Sequence, residues 1–460
     1  MKTNTLTNLV RSIKIEGLFE IFNYDVKYKT EENVLIITGP NGFGKTQVLN
    51  IIFNLFNRKF LFFNKLVFSK ITICLSNEIK ILIDKTTKIR TDQLVLLVDN
   101  TEIENQIDEK IDEKIDLKFT FFERNIIIES FNYSTEISEN LIKMIDRFLP
   151  VNRIGADKWM DRRNDQIVEL DELLTYYGDQ LPAEFSKNFL KINSKRANEI
   201  LDSINVHLIR EQRLFKKVPN PDRNYRSERE QTIMIETIQT YASELKKLII
   251  DRTQQSFFIS QNLDSTYPNR LISEKSTVSK DEYDERFANL TGKLEKLTRN
   301  GLYESERKVL SYSADDSKAL LVYLNDLEQK LSVFDELLEK LELFTNILNE
   351  RRFTYKSIAI DRERGFYFKT YNGKKLELNE LSSGEQHEVV LLYELIFKTK
   401  SGILVLIDEP EISLHISWQK EFLDDLLRII KIQNFQVLIA THSPSIINDR
   451  WDLVYNLEKK

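Results

Sequence analysis

The sequence predicts an α/β fold: a mixed β-sheet with flanking helices, interrupted by a helical or coiled-coil insertion. Three observations predict it. Leu404-Val405-Leu406-Ile407 and Val34-Leu35-Ile36-Ile37 are unbroken aliphatic runs of strand length, as in strands buried on both faces of a parallel sheet. Each run ends in a polar or glycine-rich turn, at the strand end where open α/β sheets bind ligands. Between them, Leu320, Leu324, Leu327, Leu331, Phe334, Leu338, Leu341 and Leu348 follow a 4-3 spacing broken only by Thr345. That pattern reads as an antiparallel coiled coil or helical arm, or else as core helices of a bundle. The expected division is 1–215 for the first part of a head, 216–350 for the insertion and 351–460 for the rest of the head.

Composition narrows the class. The chain has 460 residues, 41% hydrophobic and 30% charged, an ordinary globular balance that can bury a large core. Gly (12) and Pro (8) are scarce, so helices should be many and loops few. A net charge of −6 argues against a polycationic nucleic-acid binder while leaving room for a local basic groove. Cys74 is the only cysteine, which excludes intrachain disulfides and a cysteine zinc site. There is no apolar run of about 18 residues, and the polar start Met1-Lys2-Thr3-Asn4 is no signal peptide, so a cytoplasmic protein without membrane contact is expected.

Taken in order, residues 11–28 alternate apolar and polar side chains and read as antiparallel strands. Val34 to Thr38 then runs into Gly39-Pro40-Asn41-Gly42-Phe43-Gly44-Lys45-Thr46, which matches the phosphate-loop pattern, and Gln47 to Phe56 has helical spacing. Glycines at these positions let backbone N–H groups close around phosphate oxygens at a helix N-terminus. Lys45 would reach the β- and γ-phosphates, and the Thr46 hydroxyl would ligate Mg²⁺.

Further along, Val67–Leu75, Ile79–Ile83, Leu94–Leu97, Phe119–Phe122 and Ile126–Ile128 read as strands. Ile103, Ile107, Ile111 and Ile115 recur among charges and read as a solvated helix face or an irregular connection. Residues 136–205 turn helical, with Leu141, Met144, Ile145 and Phe148 as a stripe. Asn205 to Leu214 reads as a buried strand ending in polar groups, Gln212 among them. Lys216, Lys217, Arg223, Arg226 and Arg229 then form a basic loop, either solvated or a phosphate contact. Residues 229–350 should be helical, interrupted near Ser311–Asp316, and Phe353–Phe368 returns to strand.

In the second half, Leu378-Asn379-Glu380-Leu381-Ser382-Ser383-Gly384-Glu385-Gln386 precedes an amphipathic helix through Val389, Val390, Leu392, Leu395 and Ile396. Ser382 and Glu385 make a capping box, and the helix N-terminus behind it favours an anion. Asp408 and Glu409 end a core strand, where buried carboxylates are costly unless compensated, for instance by Mg²⁺. Gln436 to Ala440 is one more buried strand, followed by Thr441-His442-Ser443-Pro444.

Together these motifs resemble the ABC-type ATPases of the SMC and RecF class, and within it the bacterial OLD-like ATPases. Asp-Glu-Pro-Glu-Ile-Ser-Leu-His at 408–415, Trp418-Gln419, Thr-His-Ser-Pro at 441–444, Arg450-Trp451-Asp452-Leu453 and Leu18-Phe19 carry the resemblance. It covers roughly residues 13–56 and 376–455. It implies ATP and Mg²⁺ as ligands, with Gly39 to Thr46 and Gln47 binding ATP and Thr46 and Asp408 holding the metal. Glu409 would be the general base, His442 the γ-phosphate sensor, and Gln212 the glutamine beside the metal and the attacking water. Leu381 to Glu385 resembles the ABC signature, with Ser383 and Glu385 as departures. Ser382, Ser383, Gly384 and Glu385 would act in trans, on ATP held by the opposite subunit of a homodimer, with higher assemblies open. Glu411 to His415 is expected at that interface.

Within the class the chain resembles ATPase subunits of anti-phage systems, PARIS ahead of Septu. That implies a scaffold or sensor, answering a phage protein and controlling a separate nuclease. OLD nucleases carry a Toprim domain after the ATPase, and 18 residues after His442 leave no room for one, so the chain itself is not expected to cut nucleic acid. The alternative is an SMC- or RecF-like DNA-processing ATPase, with DNA as partner. A transporter subunit is disfavoured by the 335-residue separation of Thr46 from Leu381.

Overall fold

The computed structural model describes residues 8–29, 32–60, 62–89, 113–133, 139–155, 158–162, 167–170, 173, 177, 194–211, 213–219, 232–303, 311–353, 355–412 and 414–458. The chain opens with β1 (Val10–Leu18), β2 (Phe22–Lys27), β3 (Val34–Thr38), α1 (Lys45–Phe56), β4 (Lys70–Leu75), β5 (Ile79–Ile89), β6 (Glu113–Glu123) and β7 (Ile126–Tyr133). A small unit follows: α2 (Glu139–Phe148) with β8 (Val151–Arg153), β9 (Lys158–Asp161) and β10 (Ile167–Glu169). Next come α3 (Lys195–Asp202), β11 (Val206–Ile209) and the hairpin of β12 (Phe215–Pro219) and β13 (Thr232–Glu236). Helices α4 (Thr237–Ser273), α5 (Lys280–Arg299), α6 (Ser317–Ser332) and α7 (Asp335–Ile347) form the insertion. The chain returns through β14 (Lys356–Asp361), β15 (Gly365–Thr370), β16 (Lys375–Leu376), α8 (Ser383–Tyr393), β17 (Leu404–Asp408), α9 (Ile416–Gln433), β18 (Gln436–Ala440) and β19 (Val454–Asn456).

Successive side chains of a strand point to opposite faces, and in the central sheet both faces are covered. Its order is β11-β17-β18-β3-β19, with every neighbouring pair parallel. Val34, Ile36, Val405, Ile407, Val437 and Ile439 point into a core shared with the insertion helices, α8 and α9. Leu35, Ile37, Leu404, Leu406, Leu438 and Ala440 point into a second core shared with α1 and the six-stranded antiparallel sheet β2-β1-β4-β5-β6-β7. Uninterrupted aliphatic runs are what two covered faces require, and a one-residue slip would exchange the cores.

The insertion packs as a bundle on the head. Lys330 reaches Asp264 at 2.9 Å, and Arg252 reaches Glu336 at 3.5 Å, so α4 runs antiparallel to α6 and α7. The leucines of the 4-3 pattern are all buried within the same core as β17 and β18. Of the two expectations, the bundle is therefore the one observed. The helix breaks at Val333-Phe334 between α6 and α7.

Several expectations need correcting. Ile115 lies in β6, paired with Thr87. Residues 136–205 contain the three-stranded sheet β8–β10 as well as helices, and Phe148 of the expected stripe is exposed while Ile145 is buried. Lys216 and Lys217 sit in β12, and β13 occupies the start of the stretch read as helix. Helix α8 is not amphipathic: His387 to Tyr393 are all buried, because insertion and head enclose it. Leu94–Leu97, Ile103, Ile107, Ile111, Gln212, Ser413 and the basic residues Arg223, Arg226 and Arg229 lie outside the described residues.

Candidate nucleotide site

A parallel sheet delivers all its strands' carboxyl ends to one edge, so the turns after β3, β17 and β18 meet there. The turn after β3 is Gly39 to Gly44, leading into α1. Gly44 has φ +82°, a conformation that favours glycine, and a Cβ there would lie 2.9 Å from Leu18 Cδ2 and push that side chain aside. That contact gives Leu18-Phe19 a physical role, as the wall behind the loop. Tyr24 donates its hydroxyl to Phe43 O at 2.8 Å, bracing the tip. Lys45, a buried residue, donates its ammonium back to Gly39 O at 2.9 Å and Pro40 O at 3.3 Å. The cation is thereby held inside a loop of backbone amides, a setting suited to an anion. In the first turn of the helix, Gln47 Oε1 is buried with no hydrogen-bond partner among the described residues.

Thr46 donates its hydroxyl to Asp408 Oδ1 at 3.1 Å, joining residues 362 positions apart. Burial pushes the Asp408 carboxyl up to about 6; Thr46 opposes this, while Glu409 and Glu211 add to it. A hydroxyl and a carboxylate side by side are hard oxygen donors, and a reluctantly ionised Asp is a site that a divalent cation would relieve. Glu409 adopts φ +43°, rare for a side-chain-bearing residue, with its N–H donated to Ala440 O at 2.9 Å. That turn aims its carboxylate along the sheet edge rather than into a core.

The raised Asp408 pKa has a testable consequence. The unfolded group ionises near 3.8, so the folded state is increasingly penalised as pH rises from there to about 6, and equally above it. Asp408→Asn should therefore stabilise the metal-free protein by about 2 kcal/mol at pH 8, with the gain shrinking as pH falls toward 4. Urea denaturation with a chelator present reads this, and equal stability at pH 8 would refute it.

At the end of β18, Glu411 organises the turn. Its Oε1 accepts from Thr441 Oγ1 at 2.7 Å and from His442 N at 2.9 Å, and lies 3.1 Å from His442 Nδ1. His442 is half exposed, and its Nδ1 is also 3.9 Å from Glu409 Oε1. Gln419 ties the turns together, donating to Glu411 O and Leu414 O and accepting from Ser443 Oγ at 2.9 Å. Glu411, expected at a subunit interface, is 6% exposed and internal; His415 is exposed and caps α9 through Ser417. Under this turn lies Arg213, buried, donating to Pro410 O at 3.4 Å.

The Ser382 segment stands apart. Ser382 caps α8 by accepting from Glu385 N at 3.3 Å, and the Ser382 N–H donates to Glu385 Oε2 at 2.8 Å, completing the expected box. The Ser382 hydroxyl also donates to Glu385 Oε2 at 3.0 Å, so it is engaged within the cap. Burial alone would raise the Glu385 pKa, but Lys356, 2.8 Å away, and Ser382 outweigh it and hold the carboxyl below its usual range. Among the described residues, no hydrogen bond or ion pair joins 382–385 to 39–47 or 408–409. Ser383 is exposed and Gly384 half-buried.

A family model described as AAA ATPase domain matches residues 10–447, nearly the whole chain and every turn described above. The chain belongs to that family. AAA ATPase domains bind ATP, and the loop, the hydroxyl–carboxylate pair and the strand-end glutamate are what this one brings together. The chain is similar to a DNA double-strand break repair Rad50 ATPase of Sulfurisphaera tokodaii, 28% identical over 162 residues, which is 34% of this chain and 17% of that protein. It therefore spans only a small part of that relative's length. Among solved structures it is similar to the Smc head domain with an extended coiled coil from Pyrococcus furiosus (14% identity, 96% of this chain and 91% of that one, TM-score 0.35). It is also similar to the SMC head domain from Thermotoga maritima (11%, 97% and 94%, TM-score 0.32). The sequence alone gives Glu411, Thr441, Gln419 and Arg213 no part in holding these turns, although Glu411 is expected at an interface and Gln419 and Thr441 lie in the motifs that carry the resemblance. A glutamate following Asp-Glu-Pro was the available signal for the first.

Proposed function

We propose that the chain hydrolyses ATP at a site completed by a second copy. Gly39, Pro40, Asn41, Gly42, Phe43, Gly44, Lys45, Thr46 and Gln47 hold the phosphates, Thr46 and Asp408 hold Mg²⁺, and Glu409 takes the proton of the attacking water. Bound Mg²⁺ would supply charge neutralisation on the phosphate oxygens. His442, adjoining both Glu409 and Glu411, orients toward the γ-phosphate. Ser382, Ser383, Gly384 and Glu385 close on ATP bound by the partner copy. Residues 1–215 and 351–460 act as one head, and 216–350 as its helical insertion. The single observation supporting this reading is the 3.1 Å Thr46–Asp408 contact beside Glu409 at the sheet edge.

For the cellular role, the motif resemblance at 408–415 supports a scaffold controlling a separate nuclease in anti-phage defence, with a phage protein as trigger. A second reading, a DNA-processing ATPase, is favoured by the similarity to a protein named for double-strand break repair. Mass measurement of the purified chain with and without Mg-ATP tests the site: a doubling with ATP and measurable turnover are expected. A monomer without turnover would overturn the proposal. Coexpression with the neighbouring gene product separates the roles, because stable copurification of a nuclease supports the first. Salt-dependent DNA affinity without such a partner supports the second.

A further inference from the structure

The outer face of the β14-β15-β16 sheet carries rings and cations that nothing in the fold explains. Ile358, Ile360, Phe366 and Phe368 face the core, so alternate residues face solvent. There Tyr355 and Tyr371, 77% and 88% exposed, sit opposite one another, with Tyr371 N donating to Tyr355 O at 2.9 Å. Next along the same face is Lys369, directly across from Lys375. Like charges directly opposite are destabilising. Arg364, Lys369 and Lys375 converge on the Tyr367 ring at 5.8, 5.3 and 5.0 Å. None of the three makes an ion pair with a described residue. Two nearby carboxylates are engaged elsewhere: Asp361 accepts from the turn amides of Glu363 and Arg364, and Glu380 from Glu377 N. In a chain of net charge −6, three unneutralised cations around one ring are a local investment in an anion.

We infer that this face binds single-stranded nucleic acid, with bases stacking on Tyr355 and Tyr371 and the backbone phosphates lying along Lys369, Lys375 and Arg364. Exposed rings interleaved with cations on a sheet favour unpaired bases over a duplex, whose bases are already stacked. An acidic peptide would use the charges and leave the exposed rings of Tyr355 and Tyr371 without purpose. The inference is independent of the ATP reading.

Fluorescence anisotropy of a labelled oligothymidylate of about 20 nucleotides, titrated with the full chain at about 50 mM salt, tests it. The double variant Lys369→Glu/Lys375→Glu and the variant Tyr371→Ala should each weaken binding about tenfold or more, and the charge variant should also flatten the salt dependence. Lys195→Glu, on an exposed lysine of α3, should bind like the parent. Circular dichroism and a parental urea-denaturation midpoint confirm that each variant is folded. No binding by the parent, equal binding by the variants, preference for duplex, or equal displacement by polyglutamate would each overturn the assignment.

Discussion

Glu409→Gln is expected to lower ATP turnover by about 10²- to 10⁴-fold, the range lost when a positioned general base is removed. Nucleotide affinity should stay near the parent's, because the loop 39–47 and the Thr46–Asp408 pair are untouched. The backbone argues that the residue is aimed. A φ of +43° costs a side-chain-bearing residue on the order of 1–3 kcal/mol and persists only where the surroundings impose it. Here the imposing bond is Glu409 N to Ala440 O, which anchors the turn to β18. Glutamine keeps shape and backbone preference but cannot take a proton, so a slow variant with intact ATP binding would isolate the chemical step. In the proposed two-copy site the same variant should accumulate as an ATP-bound dimer, read by mass. Parental turnover would remove Glu409 from the base role.

Much of this geometry was legible because the decisive signals are local. Strand, glycine turn and helix are consecutive in 34–56, and the capping box needs only Ser382 and Glu385. The aliphatic runs announce two covered faces, and the two cores bear that out. What escaped depends on which elements meet. Glu411 reads as an interface residue until β17 and β18 are placed side by side, when its oxygen meets Thr441 and the His442 amide inside the subunit. Arg213 reads as one more polar group at the end of the 205–214 strand until its burial and its bond to Pro410 O are known. The 4-3 leucine pattern is the same for an isolated arm and for a bundle. The surface that covers the leucines decides between them, and that surface is α4, far away in sequence. Helix α8 reads as amphipathic from the spacing of Val389, Val390 and Leu392, yet the polar residues beside them, His387 and Glu388, are buried as well.

Lys45→Ala should weaken ATP binding by about 10²-fold or more, and the reason is already visible without nucleotide. Lys45 is a buried residue, and an ammonium drawn out of water is costly unless it is paired; here the carbonyls of Gly39 and Pro40 partly compensate it. Those carbonyls are neutral acceptors. A triphosphate brings formal charge to the same place, and charge-assisted bonds are roughly twice as strong as neutral ones. Removing the lysine forfeits about 3 kcal/mol of that exchange, which is the expected fold-change in affinity. Lys45→Arg should not rescue it, because a planar fork cannot occupy the compact site of a point charge between two backbone carbonyls. Calorimetric titration with a non-hydrolysed ATP analogue reads both variants, with circular dichroism as the check on folding. Unaltered affinity in Lys45→Ala would mean that the loop between β3 and α1 does not cradle phosphate. The buried cation would then serve only to close its own turn.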